Sequence, residues 1–154
     1  MTKGTILTIV RGLPGAGKTT VAEALALKTG AGMASADDFF TGSDGVYRFD
    51  PKQLPQAHAA CQTEARRLLA SGRDVLVHNT FTQGWEATAY VAMAREVGAI
   101  VSVVDVFDGG LDDEALAARN THGVPLDGIR AMRARWDNDL LAAQEAEPRA
   151  PWER

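Results

Sequence analysis

The sequence has a single cysteine, no long apolar run and no polybasic tail. Because Cys61 has no partner within the chain, an internal disulfide framework is excluded, and a reducing compartment is favoured. The apolar stretch near the N-terminus covers only residues 6–10. It is too short for the core of a signal peptide and far below the roughly 18 residues of a membrane span. We therefore expect a cytoplasmic protein without membrane contact.

The charge balance gives little support to a nucleic-acid partner. The formal net charge is −4 at pH 7, so no chain-wide attraction to phosphate backbones is expected. Arginine nevertheless outnumbers lysine, and several arginines lie between residues 119 and 135. The average charge can therefore conceal a local positive face, and a nucleic-acid partner is neither indicated nor excluded.

The length and composition are those of one globular domain. The chain has 154 residues, of which 45% are hydrophobic and 23% charged. No repeat, low-complexity block or Ser/Pro linker interrupts it. We predict a single domain over residues 1–144, followed by a C-terminal tail over residues 145–154 that contains two prolines.

Short β-branched runs alternate along the chain with longer alanine-rich segments of helical periodicity. The runs predict strands over residues 5–10, 32–36, 74–78 and 100–107. The periodic segments predict helices over residues 18–28, 55–71, 83–97, 112–120 and 127–143. Strands that are apolar at successive positions are typical of a parallel sheet covered on both faces. We therefore predict an α/β fold, a three-layer sandwich with a parallel sheet, whose ligand lies at the carboxyl ends of the strands.

The segment directly after the first predicted strand is rich in glycine. It reads GLPGAGKT and matches the pattern G-x-x-x-x-G-K-[ST] of a P-loop. Glycines allow consecutive backbone N–H groups to point at phosphate oxygens, and the following helix presents its positive end to the same anion. We expect Lys18 to reach the β- and γ-phosphates of ATP and the Thr19 hydroxyl to ligate Mg²⁺. The predicted nucleotide-binding residues are Gly12, Pro14, Gly15, Ala16, Gly17, Lys18, Thr19 and Thr20.

Two aspartates, Asp37 and Asp38, follow the second predicted strand. A carboxylate at this position would lie across the γ-phosphate from the P-loop, where it can accept a proton from an attacking hydroxyl. We interpret Asp37 as this general base. Asp38 is a candidate substrate contact, with a helix N-cap as its alternative role.

The third predicted strand ends in His78, Asn79 and Thr80. Many P-loop proteins carry an aspartate at such a strand end to orient Mg²⁺, and imidazole is a poor ligand for this hard cation. A hydrogen-bonded strand-end residue is therefore as good an interpretation of His78 as a catalytic one. Asn79 and Thr80 are candidate substrate contacts. The remaining histidines, His58 and His122, lack metal-like spacing, and we expect no zinc site.

Arg119 closes the helix predicted over residues 112–120, just before a Gly-Val-Pro break. A mobile arginine-bearing segment there could fold over the nucleotide and stabilise charge on the moving phosphoryl group. The alternative role is that of a cation at a helix C-terminus. The three tryptophans, Trp85, Trp136 and Trp152, are interpreted as packing residues rather than base-stacking platforms.

Five motifs occur in the order GLPGAGKTT, SADDFF, YRFDP, HNTFTQGWE and ARNTHGVP. With these motifs the sequence resembles the P-loop polynucleotide kinase family over nearly its whole length, from about Ile6 to Trp136. It is most similar to the compact ATP-binding kinase domains of the NEDD-binding-protein type, and phage 5′-hydroxyl polynucleotide kinases are more distant. The resemblance implies a nucleoside-kinase-like P-loop NTPase fold and ATP- and Mg²⁺-dependent phosphorylation of a hydroxyl, typically the 5′-OH of DNA or RNA. It also implies Lys18, Asp37 and Arg119 as catalytic residues.

The sequence departs from the family pattern at two positions. Phe40 stands where the phage enzyme has an arginine that holds a substrate phosphate, and His78 stands where an aspartate is common. Arg48, in the YRFDP motif, is a candidate replacement for the lost phosphate contact. Two alternatives to a nucleic-acid acceptor stay open: a small-molecule kinase acting on a nucleoside, sugar or antibiotic, and an ATP-binding module with little turnover. The sequence predicts no particular oligomeric state.

Overall fold

Four parallel strands form the sheet at the centre of the structure, a computed structural model that describes residues 4–154. The strands are β1 (Ile6–Arg11), β2 (Gly32–Ala34), β3 (Val75–Asn79) and β4 (Ile100–Asp105), in the order β2-β3-β1-β4. β1 pairs with both β3 and β4, so that Arg11 lies level with Asn79 and Asp105. This register brings the carboxyl ends of the three strands to the same end of the sheet.

Helices cover both faces of this sheet. The α-helices are α1 (Lys18–Thr29), α2 (Asp37–Phe40), α3 (Leu54–Ala70), α4 (Thr88–Val97), α5 (Asp113–Arg119), α6 (Leu126–Ala134) and α7 (Leu140–Ala146). Short 3-10 helices cover Pro51–Gln53, Gly84–Ala87 and Pro151–Glu153. The second of these replaces the start of the helix predicted over residues 83–97. Within residues 4–154, none of the helices combines the length and the apolar character that crossing a membrane requires.

The core lies in two layers, one on each face of the sheet. Leu7 and Ile9 of β1 are fully buried together with residues of α3 and α4, whereas Val10 packs with Ala22 of α1 on the opposite face. Burial on both faces explains why the strand segments are apolar at successive positions. The predicted three-layer α/β sandwich with a parallel sheet is confirmed.

The prediction of one helix over residues 127–143 is wrong, because this segment contains most of α6 and most of α7, with a break between them. The second begins after Asp139, whose side chain accepts a hydrogen bond from the Ala142 N–H. Between the helices, the ring of Trp136 lies 3.9 Å from the guanidinium carbon of Arg11. Both helices bury apolar residues, so the periodicity continues through the break and conceals it.

The tail over residues 145–154 packs against the segment that leads into α4. The Thr88 hydroxyl donates a hydrogen bond of 2.6 Å to the carbonyl of Pro148. The Trp152 ring meets the Trp85 ring edge to face, with centroids 5.0 Å apart. The described part of the tail is therefore docked on the domain, and the boundary at residue 144 stays a prediction.

Candidate active site

The P-loop occupies the turn between β1 and α1. Gly15 and Gly17 adopt left-handed backbone conformations, with φ of +85° and +96°, that a residue with a side chain rarely adopts. A Cβ atom at Gly15 would also lie 2.5 Å from the carbonyl oxygen of Leu116 in α5. Because α1 begins at Lys18, the N–H groups of its first turn have no carbonyl partner within the helix. The turn and the helix start therefore form a geometry suited to a phosphate.

Lys18 and Asp37 line one cavity of about 350 Å³. Pro14, Asn79 and Thr80 line the same cavity, because the strands that precede these residues end at the same end of the sheet. Burial lowers the pKa of Lys18 below its ordinary value, and the Asp37 carboxylate partly opposes this shift. A cation and a carboxylate thus share one space at the place where an open parallel sheet binds its ligands.

Asp37 has two neighbours that the sequence did not single out. The Tyr47 hydroxyl donates a hydrogen bond of 3.1 Å to Asp37 Oδ1, and His122 Nδ1 lies 3.7 Å from Asp37 Oδ2. The rings of Tyr47 and His122 also pack together, with centroids 4.7 Å apart. Burial, followed by the charge of Asp37, raises the pKa of the Tyr47 phenol, so it stays a hydrogen-bond donor. Tyr47 could have been singled out because it is the first residue of the YRFDP motif. The position of His122 beside Asp37 depends on tertiary structure and could not.

Residues 122–125 line the cavity together with an arginine that follows α6. The Nε of this residue, Arg135, donates a hydrogen bond of 3.0 Å to the Thr82 hydroxyl. Arg119 ends α5, is exposed and lies outside the cavity lining. Its role as the catalytic arginine stays a prediction, and Arg135 is a second candidate that the sequence did not single out.

Asp38 and Arg48 do not line this cavity. Arg48 is exposed and forms a bidentate ion pair with Asp44, with distances of 2.8 and 3.2 Å. Phe40 is buried, and its ring centroid lies 5.1 Å from that of Phe49. The position where the phage enzyme has an arginine is therefore part of an aromatic cluster, and the roles of Asp38 and Arg48 as substrate contacts stay predictions.

His78 and Asn79, at the end of β3, have structural partners. Burial lowers the pKa of the His78 imidazole, although Asp38 and Asp37 oppose the shift, so the ring is neutral at pH 7. Asn79 Oδ1 accepts a hydrogen bond of 2.9 Å from the N–H of Ala36, the residue before Asp37. Asn79 therefore braces the turn that positions the candidate general base.

A magnesium ion would find oxygen donors at this site but no cluster of carboxylates. Among residues 4–154, no three side chains of His, Cys, Asp or Glu come together in a way that could hold a metal. Thr19 lies in the first turn of α1, and Mg²⁺ typically binds through one or two protein oxygens together with phosphates and water. The Thr19 hydroxyl fits this mode of binding, whereas the neutral imidazole of His78 does not.

Residues 7–138 match the family model described as an AAA domain. This span contains the P-loop, Asp37, residues 122–125 and Arg135. The chain belongs to this family. The match and the relatives below confirm the resemblance to P-loop kinases of the polynucleotide kinase type.

Three similar proteins can be compared with this chain. NEDD4-binding protein 2 from Homo sapiens is 33% identical over 133 residues, which cover 84% of this chain and 7% of that protein, so the chain corresponds to a small part of its relative. A chain in the structure of the Pnkp1/Rnl/Hen1 RNA repair complex has a TM-score of 0.70 at 19% identity, over 95% of this chain and 47% of that chain. A gluconokinase from Sinorhizobium meliloti 1021 has a TM-score of 0.52 at 20% identity, over 88% of this chain and 75% of that chain. At these identities the two structures show a shared fold, that of P-loop kinases.

In this AAA-domain protein Arg11 lies beneath the site and connects four segments. The residue is fully buried. Its Nε and Nη2 donate hydrogen bonds of 2.9 and 2.7 Å to the Phe81 carbonyl, and its Nη1 donates one of 2.9 Å to Asp105 Oδ1. The opposite side of the guanidinium meets Trp136. Because Phe81 has a positive φ of +48°, the fork of Arg11 holds a strained turn just after β3.

Two of the four arginines between residues 119 and 135 are paired with acidic side chains. Arg130 forms an ion pair of 2.8 Å with Glu114, and Arg133 forms one of 2.6 Å with Asp113. These pairs form because α5 and α6 pack against each other. The two arginines therefore do not supply the local positive face that the sequence left open.

Proposed function

We propose that this domain transfers the γ-phosphoryl group of ATP to a hydroxyl group, with the 5′-OH of a nucleic acid as the favoured acceptor. One observation carries the proposal: Lys18 and Asp37 line the same cavity. The lysine can contact the phosphates while the carboxylate contacts the hydroxyl, so the two reacting groups can meet in one space. P-loop residues 12–20 would bind the nucleotide, with the Thr19 hydroxyl available to Mg²⁺.

In the proposed reaction the acceptor oxygen forms a bond to the γ-phosphorus, and the bond from this phosphorus to the β,γ-bridging oxygen breaks. ADP leaves with the electron pair, and Asp37 takes the proton of the acceptor hydroxyl. The Tyr47 hydroxyl donates a hydrogen bond to Asp37 Oδ1 and so helps to orient the carboxylate for this step. Lys18 and either Arg119 or Arg135 would stabilise the charge on the transferred group. Bound Mg²⁺ would supply further positive charge at the phosphates.

Two similarities support a nucleic-acid acceptor. The five sequence motifs are those of polynucleotide kinases, and the fold matches a chain from an RNA repair complex. The cations that line the cavity, Lys18 and Arg135, also suit the meeting of two phosphate-bearing reactants.

The test offers the purified protein γ-labelled ATP, Mg²⁺ and oligonucleotides that end in a 5′-OH. We expect label on the oligonucleotide, and we expect Asp37→Asn to lower the rate by roughly 100-fold or more because proton transfer is lost. ATP binding should persist in this variant. Asp127→Asn is the matched control, because the Asp127 side chain is 98% exposed and lies outside the cavity lining. Equal rates for the two variants would refute the role of Asp37, and the absence of label on any oligonucleotide would refute the acceptor.

A small-molecule kinase is the second candidate, because the cavity is small and Arg130 and Arg133 are paired with carboxylates. A volume of about 350 Å³ suits a single sugar or nucleoside, and the gluconokinase shares the fold. A nucleoside or gluconate that becomes labelled and suppresses labelling of oligonucleotides in a competition assay would decide for this candidate. Tight ATP binding without transfer to an oligonucleotide or a small molecule would instead indicate a nucleotide-binding module. This possibility arises because the neutral His78 stands where many P-loop proteins carry an aspartate that orients Mg²⁺.

A further inference from the structure

We propose that a second cavity, beside the one that holds Asp37, binds the nucleobase of the acceptor. This aromatic cavity has a volume of about 530 Å³, which is in the range of small-molecule sites. Its aromatic walls and the polar side chains that α3 contributes are Phe81, Trp85, Tyr90, Trp152, His58 and Gln62. The inference rests on the proposed function and specifies the chemical class of the acceptor as a nucleoside or a terminal nucleotide.

The aromatic cavity adjoins the cavity of the candidate active site. Four residues, Leu54, His58, Asn79 and Glu86, line both. An acceptor whose hydroxyl lies at Asp37 can therefore extend into the aromatic cavity without leaving the protein surface. In a terminal nucleotide whose 5′-OH lies at Asp37, the planar base is the group on the sugar that suits an aromatic cavity.

The aromatic side chains offer faces and edges for stacking. Trp152 is 76% exposed, although the tail that carries it is held by the hydrogen bond from Thr88 to Pro148. Its ring meets that of Trp85 edge to face at 5.0 Å, so one large apolar surface stays open to a ligand. Stacking of a base on an aromatic side chain strengthens binding by roughly 5- to 150-fold. A tryptophan held at this place but left mostly exposed is better explained by a ligand than by packing.

The polar side chains of the aromatic cavity can read the edge of a base. His58 and Gln62 are four residues apart on α3, so they lie on the same side of the helix. Within residues 4–154, neither side chain forms a hydrogen bond with another residue. An imidazole and an amide can each donate and accept, as the edges of nucleobases do. Aromatic faces combined with unpaired amide and imidazole groups fit a nucleobase better than a purely apolar ligand.

This inference revises the interpretation of two of the three tryptophans as packing residues. Trp136 does pack, over Arg11. Trp85 and Trp152 line a cavity instead, and they come from segments 67 residues apart in the sequence. Their pairing depends on the docking of the tail, which no local pattern predicts.

The first experiment compares two 5′-OH oligonucleotides in the kinase assay, one with a normal terminal nucleotide and one with an abasic terminal nucleotide. We expect the KM of the wild-type protein to be at least about fivefold higher for the abasic acceptor, with kcat little changed, because only stacking is lost. Trp152→Leu should raise the KM for the normal acceptor to a similar extent and leave that for the abasic acceptor unchanged. Leu27→Ala is the control, because Leu27 is 90% exposed on α1 and lines neither cavity. Equal KM values for the two acceptors in the wild-type protein would overturn the inference.

The second experiment separates this inference from the proposed function. Calorimetric titration of the full chain with adenosine, without ATP, measures binding to the aromatic cavity even if no phosphoryl transfer occurs. We expect binding that Trp152→Leu and Trp85→Leu both weaken at least about fivefold. If adenosine binds in this way but no acceptor is phosphorylated, the base site stands and the proposed function fails. If oligonucleotides are phosphorylated but adenosine does not bind, or gluconate binds in its place, the base site is refuted and the phosphotransferase stands.

Discussion

Replacing Arg11 is the sharpest test of how the structure holds the site together. Arg11→Met keeps the length of the apolar stem and removes the guanidinium group. The Phe81 carbonyl would then lose both of the hydrogen bonds that it accepts from Arg11, and the Trp136 ring would lose its cation. Because Gly12 of the P-loop follows Arg11 directly, the substitution also acts on the end of β1 from which the P-loop starts.

Opposing contributions set the size of this effect. A hydrogen bond from a charged donor contributes about 1.5–3 kcal/mol, and leaving a buried carbonyl such as that of Phe81 unpaired costs about 1–3 kcal/mol. The Asp105 side chain is 57% exposed, so its ion pair with Arg11 adds at most about 1 kcal/mol. Substitution also relieves the desolvation of the guanidinium, which lowers the pKa of Arg11. We expect a net loss of about 2–4 kcal/mol in the free energy of unfolding, or roughly 5–15 °C in Tm.

Arg11→Lys separates the geometry of the side chain from its charge. Lysine keeps the positive charge but lacks the planar fork, so it cannot bond to Phe81 and Asp105 in the same arrangement. A buried ammonium group with incomplete partners is costly. We therefore expect Arg11→Lys to be no more stable than Arg11→Met.

Urea unfolding followed by circular dichroism measures these free energies, and calorimetry measures ATP binding. Arg66→Met is the matched control, because Arg66 is exposed on α3 and its loss should change stability by less than about 0.5 kcal/mol. Both Arg11 variants should also bind ATP more weakly. The proposed bracing role is wrong if Arg11→Met lies within about 0.5 kcal/mol of the wild type, or if Arg11→Lys is as stable as the wild type.

Three further substitutions test individual features of the structure. Gly84→Ala should destabilise the protein by several kcal/mol, because a Cβ atom there would overlap the backbone of Ala143 and Gln144. Lys18→Met should abolish ATP binding yet raise the stability of the free protein below about pH 10. Burial lowers the pKa of Lys18 below its ordinary value of 10.5, so holding the charged ammonium destabilises the folded state. This destabilisation disappears only as pH rises through the ordinary pKa, and the substitution removes it. His78→Asn should flatten the loss of stability as pH falls below about 6.5, because burial lowers the pKa of His78 and the unfolded state takes up the proton first. Urea unfolding at the stated pH values measures all three effects.

Matched substitutions control these measurements. Gly4→Ala meets no atom within 4 Å and should leave stability unchanged. Lys28→Met, at the exposed end of α1, should not stabilise the protein. An unchanged stability for Gly84→Ala would mean that α7 can move away from the 3-10 turn. A destabilising Lys18→Met or an unaltered pH profile for His78→Asn would contradict the burial of those groups.

The sequence predicted the sheet and the P-loop because both depend on local patterns. The strands are runs of mostly apolar residues, fully buried in β3 and partly exposed in the edge strand β4, and periodicity detects such runs. The spacing of Lys18 and Thr19 after the glycines places them at a helix start in any fold of this class. The position of Asp37 was predictable for the same reason, because it lies three residues after the end of β2.

The rest of the candidate site comes from segments that are distant in sequence. His122 and Arg135 reach the cavity only after α5 and α6 have packed against the P-loop segment, through the cluster around Leu13, Leu116 and Ile129. The break between α6 and α7 is equally non-local, since the residues there are held by Arg11 and by the turn after β3. Hydrophobic periodicity does not specify which polar side chains such packing brings together.

The net charge is −4, and the way in which surface charges pair in the structure bears on the nature of the acceptor. In the part of the chain that the structure describes, many surface arginines pair with carboxylates, as Arg48 does with Asp44 and Arg67 does with Glu64. A protein that follows a nucleic-acid strand needs free cations spaced along the backbone. An acceptor held by its terminal nucleotide needs only phosphate-binding groups at the reaction site and a place for its base. If the acceptor is a nucleic acid, as proposed, this distribution of charge favours recognition of the end of a strand over contacts along its backbone.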